Sequence, residues 1–247
     1  MDSRHSPLPS VNEDASAKDS PPSDPDLASI STALSPHGLI LRGGVNFDAG
    51  EDAPAGPSGV PAKAVLLVGQ GGAAPWPHFK AWRKRQPADL ANPLDTWSAE
   101  IIGAAAREFG ARAVSPSDRP FLPFQQWAIR AEGLKPSPLG ILMHPEYGLW
   151  HAYRGALLFD RPIEVDRREA GAYPCDGCIS KPCLSACPVG AFTTEGFAFD
   201  ACMGHLHMPE GSACLERGCR ARNACPVGTA YRYPAEVQAF HMAKFVR

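Results

Sequence analysis

The residues able to do chemistry in this 247-residue chain are its eight cysteines, all lying between Cys175 and Cys225. They fall in two runs, Cys175-x2-Cys178-x4-Cys183-x3-Cys187 and Cys202-x11-Cys214-x4-Cys219-x5-Cys225, and each run closes as Cys-Pro-Val-Gly. Short spacers let a looping backbone deliver three thiolates from different directions, as a cubane of iron and sulfide requires. Proline after the fourth cysteine fixes φ and stops the loop from continuing as helix. Two other chemistries compete for clustered thiols. Structural zinc favours paired C-x2-C knuckles, and only Cys175 and Cys178 have that spacing. Disulfides need an oxidising compartment, and the first residues, MDSRHSPLPSVNEDASAKDS, hold no apolar stretch that would direct export. The cysteines therefore read as ligands of iron-sulfur clusters. His205 and His207 follow Cys202 closely, but with eight thiols present they are expected at the surface or behind the ligands.

The elements that must position this module precede it. Residues 1–26 are rich in Pro, Ser and Asp and read as a disordered acidic tail. A short helix is expected over Leu27–Leu34, a strand over Gly38–Val45, a loop over Asp48–Pro61, and a strand buried on both faces over Ala64–Val68. Asn92-Pro93-Leu94-Asp95 reads as a helix start with Asn92 as N-cap. Leu94, Trp97, Ile101 and Ala105 then form its apolar stripe, and Gly110 stops it. Ala111–Val114 predicts a strand and Phe121–Glu132 a helix. Ile141–Met143 and Leu149–Phe159 read as paired strands joined by the turn at His144–Gly148. The pattern predicts an α+β or α/β core over residues 27–170, α+β being preferred, and an iron-sulfur module with a C-terminal helix over 171–247. Trp76, Trp82, Trp97 and Trp127 are expected in apolar packing.

Composition removes several function classes. Lys and Arg number 24 and Asp and Glu 26, a formal charge of -2, so nucleic acid or an anionic membrane held by bulk charge is not expected. No apolar run reaches the roughly 18 residues that span a bilayer. A cytoplasmic protein is the expectation.

The cysteine runs resemble a bacterial ferredoxin-like module with two [4Fe-4S] clusters, its spacers lengthened in places. In that family the fourth cysteine of a run ligates the other cluster. The resemblance thus implies one cluster on Cys175, Cys178, Cys183 and Cys225, and a second on Cys202, Cys214, Cys219 and Cys187. The upstream turn His144-Pro145-Glu146-Tyr147-Gly148-Leu149-Trp150, followed by Arg154-Gly155, is similar to one in the CblC cobalamin-processing proteins. Epoxyqueuosine reductases have a similar turn with a two-cluster module downstream, and corrinoid-containing reductive dehalogenases share the plan more distantly.

What this resemblance implies is a nitroreductase-like core holding cobalamin, with Tyr147, Gly148, Trp150 and Arg154 as cofactor-binding residues. Arg154 reads equally as a strand arginine paired with a surface acid. Asp118 lies near the position of the proton-donating Asp of epoxyqueuosine reductases; its local reading is a turn residue capping the next helix. Those enzymes carry Gly-Trp-Ile-Gly-Lys where this chain has Lys135-Pro136-Ser137-Pro138-Leu139-Gly140. They also carry a C-terminal extension that holds tRNA, so a tRNA substrate is not expected. The expectation is an oxidoreductase passing electrons through two clusters to a corrinoid, served by a soluble donor of ferredoxin or flavodoxin type. The alternatives are a ferredoxin-type carrier with no corrinoid, handing electrons to an acceptor enzyme, and a flavin-binding core.

Overall fold

The computed structural model describes residues 26–165, 171–193 and 195–246. The expected tail lies outside them, apart from Asp26. That residue caps helix α1 (Leu27–Leu34), its carboxylate accepting from the Ala28 N–H at 3.0 Å.

Strands β1 (Ile40–Asn46) and β2 (Ala64–Gly71) follow, then helices α2 (Trp76–Arg83) and α3 (Pro93–Glu108), strand β3 (Arg112–Val114) and helix α4 (Phe124–Glu132). Three more strands, β4 (Lys135–Pro136), β5 (Leu142–Met143) and β6 (His151–Phe159), complete the core. The main sheet has the order β1-β2-β6-β3 with every neighbour antiparallel. The continuous apolar run Ala64–Val68 is buried because helices cover both faces of its strand. On one face Ile30, Phe79, Trp97 and Ile102 pack against Leu66, Val68 and Leu157. On the other, Phe124, Trp127 and Ala128 of α4 pack against Val65, Leu67 and Leu158. Full burial of such a side chain contributes about 1.5–3 kcal/mol, so these two layers fix the core.

Three expectations are corrected. Asn92 precedes α3 in a left-handed conformation, φ 44°, and its side chain makes no capping bond; its carbonyl accepts from the Asp95 and Thr96 N–H groups instead. Within α3 the buried isoleucine is Ile102, 1 % exposed, while Ile101 sits at the edge of the core. Leu142–Met143 pairs with Lys135–Pro136, not with β6, which lies between β2 and β3. Only one bridge, His144 to Gly148, spans the turn. A 3.6-residue stripe places a face only to within a residue, and a two-residue strand carries no periodicity to read.

The cysteine segment is built from short pieces: α5 (Pro182–Ser185), β7 (Phe192–Thr193), β8 (Gly196–Phe197), α6 (Phe199–Leu206), α7 (Ser212–Arg217) and α8 (Arg220–Asn223). The expected C-terminal helix is α9 (Ala235–Phe245). No helix among the described residues is long and apolar enough to cross a membrane.

Candidate iron-sulfur site

The eight thiols are free and sort into two groups of four around separate cavities. Cys175, Cys178, Cys183 and Cys225 line the first, with Met143 and Leu149 of the core beside them. Cys187, Cys202, Cys214 and Cys219 line the second, a space of about 340 Å³ that Leu206, Phe197 and Phe245 also line. Each group takes three thiols from one run and the last thiol of the other. Electrostatics divides them the same way: Cys183 feels Cys225, Cys175 and Cys178, whereas Cys202 feels Cys219, Cys187 and Cys214. Burial first, then these neighbours, push the free thiols of Cys183 and Cys202 up. Among the described residues, no group of three or more Cys, His, Asp or Glu side chains is arranged to hold a single metal ion.

Local bonds shape the loops. Lys181 donates from Nζ to the carbonyls of Cys175 and Cys178 at 2.8 and 3.2 Å, tying the first loop into a ring. The Ala191 N–H donates to Cys187 Sγ at 3.3 Å. His205 lines the second cavity with Nε2 3.8 Å from Cys214 Sγ, while His207 is exposed.

The second Cys-Pro-Val-Gly loop docks on the His144–Gly148 turn. Gly148 has φ 58°, and a Cβ there would lie 2.1 Å from the Val227 carbonyl oxygen. A Cβ on Gly228 would lie 2.3 Å from Tyr147 backbone. Arg222 donates to the Leu149 carbonyl and lies over the Trp150 ring at 4.5 Å. Trp150 is fully buried against Tyr233 and Val237.

The four residues expected to face a corrinoid are therefore not on one surface. Tyr147 stacks on His144 at 4.2 Å beside Arg42, and Gly148 faces Val227. Arg154 lies on the far face of β6, where its Nε donates to Gln70 Oε1 at 2.8 Å. Asp118 is exposed in the turn after β3, accepting from the Ser115 N–H at 2.7 Å. Its side chain faces no buried environment. Nor does it cap α4, which starts at Phe124 after Pro123.

A buried polar cluster beside the turn had no counterpart in the sequence reading. Arg42 and Glu132 form a bidentate pair at 2.8 and 2.9 Å. Tyr153 donates to the same carboxylate, and burial pushes its phenol up, keeping the proton on oxygen. His151 bonds the Leu142 carbonyl through Nε2 at 2.8 Å and presents Nδ1 to Arg42 at 3.4 Å. Isolated arginines and histidines in apolar strands carry no sequence signal of this pairing, which joins residues 90 or more positions apart.

No family model and no curated protein matches the chain. Solved structures do resemble it. The epoxyqueuosine reductase from Streptococcus thermophilus is 13% identical over 84% of this chain and 67% of its own, with a TM-score of 0.49. The enzyme from Bacillus subtilis, with its catalytic loop swung out of the active site, gives 13%, 84%, 66% and 0.48. An epoxyqueuosine reductase with a modified tRNA stem loop gives 15%, 70%, 51% and 0.45. This chain spans 51% to 67% of their lengths. At these values the likeness assigns neither activity nor cofactor.

Proposed function

We propose that this chain is an iron-sulfur oxidoreductase that moves electrons through two [4Fe-4S] clusters. The sorting of eight thiols into two four-cysteine cavities carries the reading. The fit is chemical as well as geometric, since each cavity offers the four thiolate donors that such a cluster takes. A bound cluster of this kind accepts and releases one electron at a time. The chain does the rest. Leu206, Phe197 and Phe245 give the second cavity an apolar wall, while Arg220 and Arg222 line it and favour the negative charge gained on reduction. Lys181 fixes the first loop, and Met143 and Leu149 wall that cavity from the core side.

The residues at the turn do not fit a corrinoid. Val227 fills the space a glycine would have left for a macrocycle, Trp150 is buried, and Tyr147 and Arg154 are held on different sides. Electron transfer to a soluble partner or acceptor enzyme is thus the reading the geometry supports best.

Anaerobic loading with iron and sulfide tests it. About eight irons per chain are expected, with two interacting paramagnets in the reduced protein. Retention of zinc, or of iron at one cavity only, would overturn the two-cluster reading. Titration of cob(II)alamin with the loaded protein should leave its base-on EPR spectrum unchanged. A base-off spectrum would replace the carrier reading with a cobalamin-dependent one.

A further inference from the structure

Arg154 opens a second question, because successive residues of a strand point to opposite faces. Tyr153 joins the Arg42 cluster, whereas Arg154 points into a cleft of about 270 Å³ between β6, the start of α3 and the end of α9. Its Nε is held by Gln70, which is itself anchored through Nε2 to the Gly72 carbonyl at 2.8 Å. The plane of the guanidinium is therefore set. Neither Nη donates to a described residue, and no described carboxylate lies within 4.0 Å; Asp95 acts on Arg154 only through its longer-range charge. The residue is partly buried, where a guanidinium is normally paired. This one keeps its two-pronged edge open to the cleft.

The rest of the lining suits a small anion. Lys244 and His241 stand three residues apart on α9 and both face the cleft, as does Asn92. Burial first, then Arg154 and Arg222, hold His241 down to about 4, so its ring is neutral at pH 7 and offers a hydrogen bond without charge. Leu94 and Phe240 supply apolar wall. With Asp95 counted against Arg154 and Lys244, the cleft keeps one positive charge in excess.

We propose that this cleft is a binding site for a small oxyanion, the carboxylate or phosphate group of a small molecule, gripped by the two Nη groups of Arg154 and neutralised by Lys244. The arginine fork matches two oxygens of either group, and the volume suits a ligand of modest size. The site is separate from both four-cysteine cavities and stands or falls independently of what they hold.

Calorimetric titration of the full cluster-loaded chain with inorganic phosphate, and separately with succinate, at constant ionic strength tests this. Saturable binding of one ion per chain is expected for at least one probe, weakened roughly tenfold or more by Arg154→Gln and by Lys244→Gln. Phosphate alone, or succinate alone, would support the site and name its group. Saturation by neither probe, or binding unchanged in both variants, would overturn it. Should Arg154→Gln fail to fold, Lys244→Gln, on a partly exposed position near the end of α9, decides the matter.

Discussion

Gly148 and Val227 meet backbone to backbone, so closely that a Cβ on the glycine would lie 2.1 Å from the Val227 carbonyl oxygen. The contact joins the turn before β6 to the loop that carries Cys225. Gly148→Ala must both adopt a left-handed φ and push that loop away. A loss of stability of at least about 2 kcal/mol is expected, with iron lost first from the cavity lined by Cys225. Gly110→Ala is the control: φ there is 63°, but nothing lies within 4 Å of its Cβ position. It should cost only the backbone term, about 1 kcal/mol. Thermal unfolding and iron retention compare the two, and equal effects would show that the contact does not hold the loop.

Crossed ligation predicts a specific pattern of additivity. Cys178 and Cys225 line one cavity and Cys187 lines the other. The double variant Cys178→Ser with Cys225→Ser should therefore lose no more iron than Cys178→Ser alone. Cys178→Ser with Cys187→Ser should lose both clusters. Iron analysis of the four proteins checks this, and the reverse pattern would assign each run to its own cluster.

Why the cysteines were legible and the surrounding site was not has a physical basis. Ligand chemistry demands particular residue types at short spacings, so a cluster-binding module could be expected from the runs and the Cys-Pro-Val-Gly closures, while the crossed grouping followed only from the ferredoxin resemblance. The buried apolar run Ala64–Val68 and helix Leu27–Leu34 were legible from composition alone. Helix α2 was not, because Phe79 and Trp82 are its only buried residues among His, Lys and Arg. The glycine in the turn announced a close approach, but the sequence does not say to what. A macrocycle and a neighbouring loop ask the same thing of Gly148. Likewise Arg42 becomes a buried cation only once β1 and α4 come together.

That pair should be costly to break. Arg42 and Glu132 are 2 % and 8 % exposed, and the carboxylate also accepts from Tyr153. Glu132→Gln leaves a guanidinium buried without its counter-charge, for which a loss of about 3–5 kcal/mol is expected. The double variant Arg42→Met with Glu132→Leu removes both charges and should be less damaging than Glu132→Gln alone. Denaturant unfolding measures all three proteins. A double variant worse than the single one would mean that the pair contributes net stability beyond its own desolvation.

His151 gives the same cluster a dependence on pH. Its Nε2–H donates to the Leu142 carbonyl, which leaves the Nδ1 lone pair toward Arg42. Burial first, then the charge of Arg42, hold the folded histidine down to about 3, against an ordinary value of 6.5. Between those values the unfolded chain binds the proton and the folded chain does not. Stability from this residue is therefore complete above pH 6.5 and is lost as pH falls toward 3, by about 1.4 kcal/mol for each unit. His241, held down to about 4, adds a second loss of the same sign. His151→Gln keeps a donor for the Leu142 carbonyl but cannot be protonated. Its unfolding free energy should fall less steeply than that of the parent between pH 6.5 and pH 4.5, by about 1.4 kcal/mol per unit. Equal slopes in the two proteins would mean that His151 takes up its proton in place, with Arg42 moving aside to admit it.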